Sequence, residues 1–79
     1  MATIWRLPTV KAETGKSRTA IYDDIQAGLF SRPVKLGARA VGWPAGEVQA
    51  LNSARIAGKS DADIRALVAK LLAARGGVK

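Results

Sequence analysis

The chain has 79 residues, enough for one domain and too few for a second core. It contains no cysteine and no histidine, which removes disulfides, thiolate and imidazole metal sites, a cysteine nucleophile and the commonest general base together. Thirteen Lys and Arg against six Asp and Glu give a formal charge of +7, a surplus that points to a polyanionic partner. A domain this small buries only roughly 60% of the surface of its unfolded chain, which argues against a deep catalytic pocket. The expectation is a non-enzyme with no cofactor and no metal. Hydrophobic residues make up 48%, ordinary for a folded domain, although much of that share is alanine. No stretch approaches the ~20 apolar residues of a membrane span. Met1-Ala2-Thr3-Ile4-Trp5-Arg6 has no hydrophobic signal region, so a cytoplasmic protein is expected.

In chain order, Leu7 to Gly15 predicts a short helix, with Pro8 suited to its first turn, Gly15 able to end it, and Leu7, Val10 and Ala12 toward the core. Ser17 stands at an N-cap position for a second helix over Arg18–Ala27, with Ile21 and Ile25 one turn apart and Gly28 as its stop. Pro33 to Leu36 and Ala40 to Trp43 are short β-prone pieces around Gly37-Ala38-Arg39, which predicts a hairpin with Gly37 available for a positive φ. Pro44 closes the second strand and starts a third helix containing Glu47, Val48 and Leu51, interrupted at Gly58-Lys59-Ser60. Ser60-Asp61-Ala62-Asp63 then opens a helix like a capping box. Ile64, Leu67, Val68, Leu71 and Leu72 fall on one face of it, and Gly76-Gly77 ends it. The fold class expected is mainly α with a small β-hairpin: a winged helix-turn-helix, in the order helix, helix, hairpin, helix, plus a C-terminal amphipathic helix. The domains expected are residues 1–58, the DNA-binding part, and residues 59–79, the amphipathic helix and tail, with a joint near Ala57 to Lys59.

Two helices separated by Gly15-Lys16 fit a helix-turn-helix. At about 100° per residue, Arg18, Thr19, Tyr22, Asp23 and Gln26 share one face of the second helix, opposite Ala20, Ile21 and Ile25. Ser17 and the free N–H groups of the first turn can hold a phosphate, with Lys16 adding charge. Arg18 can make a bidentate contact to guanine, Thr19 can bond a base or offer a methyl to thymine, and Tyr22 can reach a phosphate. An ordinary solvated helix face would carry the same residue types, so the hairpin matters. Lys35 before its turn, Arg39 within it and Arg32 nearby make a cationic loop that suits the sugar-phosphate backbone or the minor groove. Trp5 and Trp43 could stack on single-stranded bases. Two Trp, one Phe and one Tyr scarcely seal a core, however, so both are assigned to the core.

Arg6-Leu7-Pro8, the run Thr14-Gly15-Lys16-Ser17-Arg18-Thr19-Ala20-Ile21-Tyr22, the segment from Phe30 to Trp43 and the pair Glu47-Val48 together resemble the AlpA family of phage and prophage transcriptional regulators. The resemblance covers about Arg6 to Arg55. It implies an excisionase-like, MerR-type winged helix-turn-helix that activates or represses transcription or directs an integrase toward excision. By the same resemblance Ser17, Arg18, Thr19 and Tyr22 match the recognition helix, and Lys35 and Arg39 the wing.

Two features depart from the family pattern. Asp23-Asp24 replaces the usual basic and apolar residues after the tyrosine. Asp23 on the reading face would repel phosphate but accept from a cytosine amino group. Asp24, among apolar positions, calls for a basic partner or a place at the core edge. The second departure is the extra helix from Ser60, whose stripe Ile64, Leu67, Val68, Leu71 and Leu72 is assigned to self-association, with packing on its own domain as the alternative. The partners expected are double-stranded DNA, a second protomer or higher oligomer on DNA, and an integrase or RNA polymerase, with nucleoid association when DNA is bound. A recombination directionality factor that bends or coats attachment-site DNA, and an adaptor using the C-terminal helix, are the alternative functions. No RNA-binding motif is recognisable, and the last helix lacks the aromatic anchors of a membrane-surface helix.

Overall fold

A computed structural model describes residues 3–76 as four helices and a three-stranded antiparallel sheet. The elements in chain order are β1 (Ile4–Trp5), α1 (Leu7–Thr14), α2 (Arg18–Ala27), β2 (Val34–Lys35), β3 (Val41–Pro44), α3 (Ala45–Ile56) and α4 (Asp61–Gly76). The mainly helical fold expected from the sequence is present, and its helix-helix-hairpin-helix order is compatible with a winged helix-turn-helix. Gly77 and the tail after it, placed in the C-terminal segment, lie outside the described residues.

Local chemistry accounts for most boundaries. Pro8 occupies the first turn of α1, where no backbone N–H partner is needed. Gly15 then adopts φ 71° and its N–H bonds the Lys11 carbonyl at 2.9 Å, a left-handed stop that a Cβ would strain. Ser17 caps α2 by accepting from the Ala20 N–H at 3.1 Å. At the other end, Leu29 N–H bonds the Asp24 carbonyl and Gly28 N–H the Ile25 carbonyl, the paired bonds of a Schellman turn. Ser60 accepts from the Asp63 N–H at 3.2 Å and so opens α4. The expected joint at Ala57 to Lys59 is itself a hydrogen-bonded turn, with Gly58 N–H on the Arg55 carbonyl and Lys59 N–H on the Ala54 carbonyl.

The sheet differs from the expected hairpin by one strand. β1 pairs with β3, Trp5 opposite Trp43 and Ile4 opposite Pro44, while β2 pairs on the other edge, Val34 opposite Gly42 and Lys35 opposite Val41. A two-residue strand has no periodicity to betray it. Gly42 lies between both neighbours: a Cβ there would overlap Ile4 Cγ2 and come within 3.1 Å of Leu36 Cδ1 and the Trp5 carbonyl oxygen. The turn is closed by Leu36 and Gly37 N–H groups both donating to the Ala40 carbonyl. Gly37 is not among the glycines of positive φ, contrary to expectation, because the three-residue loop turns without it.

The core joins Val10, Ile21, Phe30, Trp43, Val48, Leu51, Ile64 and Val68. Ala12, expected inward, is exposed. The last two members of the core come from α4. Ile64 is fully buried and Val68 is 4% exposed, while Leu67, Leu71 and Leu72 are half-buried against the same cluster. The stripe assigned to self-association therefore packs, through Ile64 and Val68, on its own domain, which was the alternative expectation. The physical reason is that residues 3–56 leave part of their own core uncovered, and α4 is the nearest apolar face that can cover it.

Candidate nucleic-acid interface

The interface is built on α2. Burial of Ile21, with Ala20 and Ile25 half-buried beside it, fixes which side of the helix faces inward. Arg18, Thr19, Asp23 and Gln26 are consequently exposed, as their spacing requires. Arg18, Thr19, Tyr22 and Asp23 line one shallow depression on the surface.

Tyr22 sits differently from the other four residues of the expected reading face. It is half-buried, and its ring meets Trp43 edge-on with centroids 6.3 Å apart and planes at 66°. The Arg18 guanidinium carbon lies 5.4 Å from the centroid of the same ring, within cation–π range. Trp43 belongs to β3, so α2 and the hairpin are in direct contact. The indole N–H of Trp43 donates to the Ser31 carbonyl at 2.9 Å, which fixes the ring in place.

Lys16 does not stand free beside Ser17. Its ammonium pairs with the Asp24 carboxylate, and the side chains are 33% and 21% exposed. Asp24 thus receives the basic partner that its place among apolar positions demanded, and the pair ties the turn to the second half of α2. Ser17 spends its hydroxyl on the helix cap. The hairpin presents Lys35 in β2, Arg39 in the loop and Arg32 before the strand, all three exposed. Arg32 also accepts, through its carbonyl, a 2.7 Å bond from Arg75 Nη2.

Sequence reasoning missed two arginines that hold this arrangement. Arg65 Nε donates to the Ala27 carbonyl at 3.0 Å, capping the last turn of α2 from α4. Arg75 grips both oxygens of Glu47, itself 8% exposed, with its Nε at 2.8 Å from Oε2, and reaches the base of the hairpin through Arg32. Partners this far apart in sequence share no spacing rule. The one available hint was Glu47 itself, an acid among apolar core positions. Among the described residues there is no group of three His, Cys, Asp or Glu side chains placed to hold a metal ion. No described helix is long and apolar enough to cross a membrane.

Two helices joined by a tight turn, the second touching the strand of a basic hairpin, form an arrangement compatible with a winged helix-turn-helix. Residues 3–56 match the family model described as "Prophage CP4-57 regulatory protein (AlpA)", and the chain belongs to that family. This bears out the resemblance carried by the motifs between Arg6 and Arg55. The uncharacterized protein ORF88 of Enterobacteria phage P4 is 43% identical over 54 residues, 68% of this chain and 61% of the phage protein. The chain thus covers less than two thirds of that relative's length. No solved structure matches the chain. All the residues assigned to DNA fall within the family match, whereas α4 lies beyond it.

Proposed function

We propose that this protein binds duplex DNA sequence-specifically and acts as a phage or prophage transcriptional regulator. The observation that supports it best is the contact between Tyr22 of α2 and Trp43 of β3, which packs the helix carrying the polar face against the sheet carrying the cationic hairpin. In this reading α2 enters the major groove. Arg18 reads guanine N7 and O6, Thr19 a neighbouring base, and Asp23 accepts from a cytosine amino group. Ser17 and the α2 N-terminus lie at a phosphate, while Arg32, Lys35 and Arg39 follow the backbone. Lys16 contributes mainly by fixing the turn through Asp24. Family membership supports a regulatory role, and the +7 charge supports the polyanionic partner.

The test is a titration of the purified protein against its own promoter and attachment-site fragments, beside random duplex of equal length, at two salt concentrations. Tighter, salt-sensitive binding to a native fragment supports the reading. A preference for the attachment-site fragment would direct attention to excision rather than transcription. Equal, weak binding to every duplex would refute it.

A further inference from the structure

Arg18 opens α2, and Tyr22 follows it by one turn, so the two side chains share a helix face. Arg18 is exposed, and among the described residues its guanidinium takes part in no hydrogen bond or ion pair, although Asp23 is close in sequence. What it meets is the face of the Tyr22 ring, 5.4 Å from the centroid. That ring is in turn braced edge-on by Trp43, which is fully buried, bonded to the Ser31 carbonyl and packed against Phe30 at 6.3 Å. A continuous line of contacts therefore runs from the centre of the core to a guanidinium whose N–H donors are all unspent.

We propose that Tyr22 is a positioning residue for base recognition: its ring, held by Trp43, fixes Arg18 over the reading face before DNA arrives. This rests on the reading of α2 as the helix that enters the groove. An arginine free in solvent must give up several rotamers to make a bidentate contact, and a guanidinium already held over a ring gives up fewer. A contact with the ring face spends none of the N–H donors, which stay open for a guanine edge. The role of Tyr22 is then carried by its ring. The hydroxyl is dispensable, in contrast to a tyrosine that bonds a phosphate.

The experiment has two arms. In the free protein, NMR of the Arg18 side chain is expected to show upfield ring-current shifts of its methylene protons in wild type and in Tyr22→Phe, lost in Tyr22→Leu. In the second arm, duplexes that the wild-type chain selects from a randomised pool are titrated beside scrambled duplexes, below the melting temperature of each variant. Tyr22→Phe is expected to keep the wild-type ratio of selected to scrambled affinity, and Tyr22→Leu to lower that ratio by roughly 3- to 10-fold. Arg18→Ala combined with Tyr22→Leu is expected to cost no more discrimination than Arg18→Ala alone. Uniform weakening by Tyr22→Phe on all duplexes would mean that the hydroxyl contacts the backbone, and would overturn the proposal. A folded Tyr22→Leu with undiminished discrimination, or additive losses in the double variant, would also overturn it. Failure of the wild-type chain to select any duplex would instead refute the DNA-binding reading, and the positioning role with it.

Discussion

At Gly42 the sheet leaves no space for a side chain, because β1 and β2 close on β3 from both edges. Gly42→Ala is expected to cost roughly 1–3 kcal/mol through displacement of Ile4 and the Trp5 backbone, measured by thermal or urea unfolding. A cost near zero would mean that β1 can leave the sheet freely. The Lys16–Asp24 pair makes a different prediction, since it removes one cation from the surface next to the α2 N-terminus. Asp24→Asn is expected to lower stability by about 1 kcal/mol or less, as for other partly exposed pairs. In the same variant Lys16 becomes available to DNA, so the log–log salt dependence of binding is expected to steepen by about 0.9 if that lysine reaches a phosphate. An unchanged slope would show that Lys16 stays off the backbone. The need for a partner at Asp24 was legible in the sequence, because a carboxylate fell at an inward-facing helical position. The identity of that partner was less so, since it depends on the angle at which α1 and α2 meet.

Among the elements, α4 has the most unexpected role. Its stripe was read correctly as one apolar face, but a periodicity of i, i+3, i+4 and i+7 says only that the face must be covered, not by what. In the folded chain it closes the core through Ile64 and Val68, caps α2 through Arg65, and holds α3 and the base of the hairpin through Arg75. Ile64→Ala is expected to cost about 2–5 kcal/mol, a large share of the stability of so small a domain. Removal of residues 60–79 is expected to do more, giving a chain without a cooperative urea transition rather than an intact DNA-binding core. Arg75→Ala is a finer probe. It leaves the Glu47 carboxylate nearly buried without its partner, and is expected to destabilise by roughly 2–4 kcal/mol in urea unfolding. Glu47→Gln, which removes the charge but keeps the shape, is expected to be milder.

For the whole molecule, the distribution of charge matters more than its total. The buried or half-buried acids are matched to Lys16 and Arg75, and Asp61 to Arg55, whereas Arg18, Arg32, Lys35 and Arg39 project from the helix and hairpin unpaired among the described residues. Other cations unpaired among the described residues, Arg6, Lys11, Lys59, Arg65 and Lys70, lie elsewhere on the surface, so it is the grouping of these four on α2 and the hairpin that the DNA-binding reading uses. If about 4 to 6 phosphates are neutralised there, log affinity is expected to fall with log salt at a slope on the order of −4 to −5. Lys35→Ala is expected to reduce that slope by about one phosphate on native and random duplex alike, while Arg18→Ala reduces the discrimination between them by roughly 1–3 kcal/mol. Equal losses from both variants on both duplexes would refute the assigned roles.

The sequence alone determined the features that depend on neighbours within a few residues. These are the caps and stops of α1 and α2, the hairpin loop, the outward set Arg18, Thr19, Asp23 and Gln26, and the family motifs themselves. Turn chemistry and helical periodicity act over one or two turns, so they are written in short stretches of chain. Tertiary structure decided the third strand, the pairing of Lys16 with Asp24 and of Glu47 with Arg75, and the line of contacts from Arg18 through Tyr22 to Trp43. It also made α4 the last wall of the core. Each of these joins groups brought together only when the elements pack, and the energy of closing a shared apolar core, rather than any local preference, selects which groups those are.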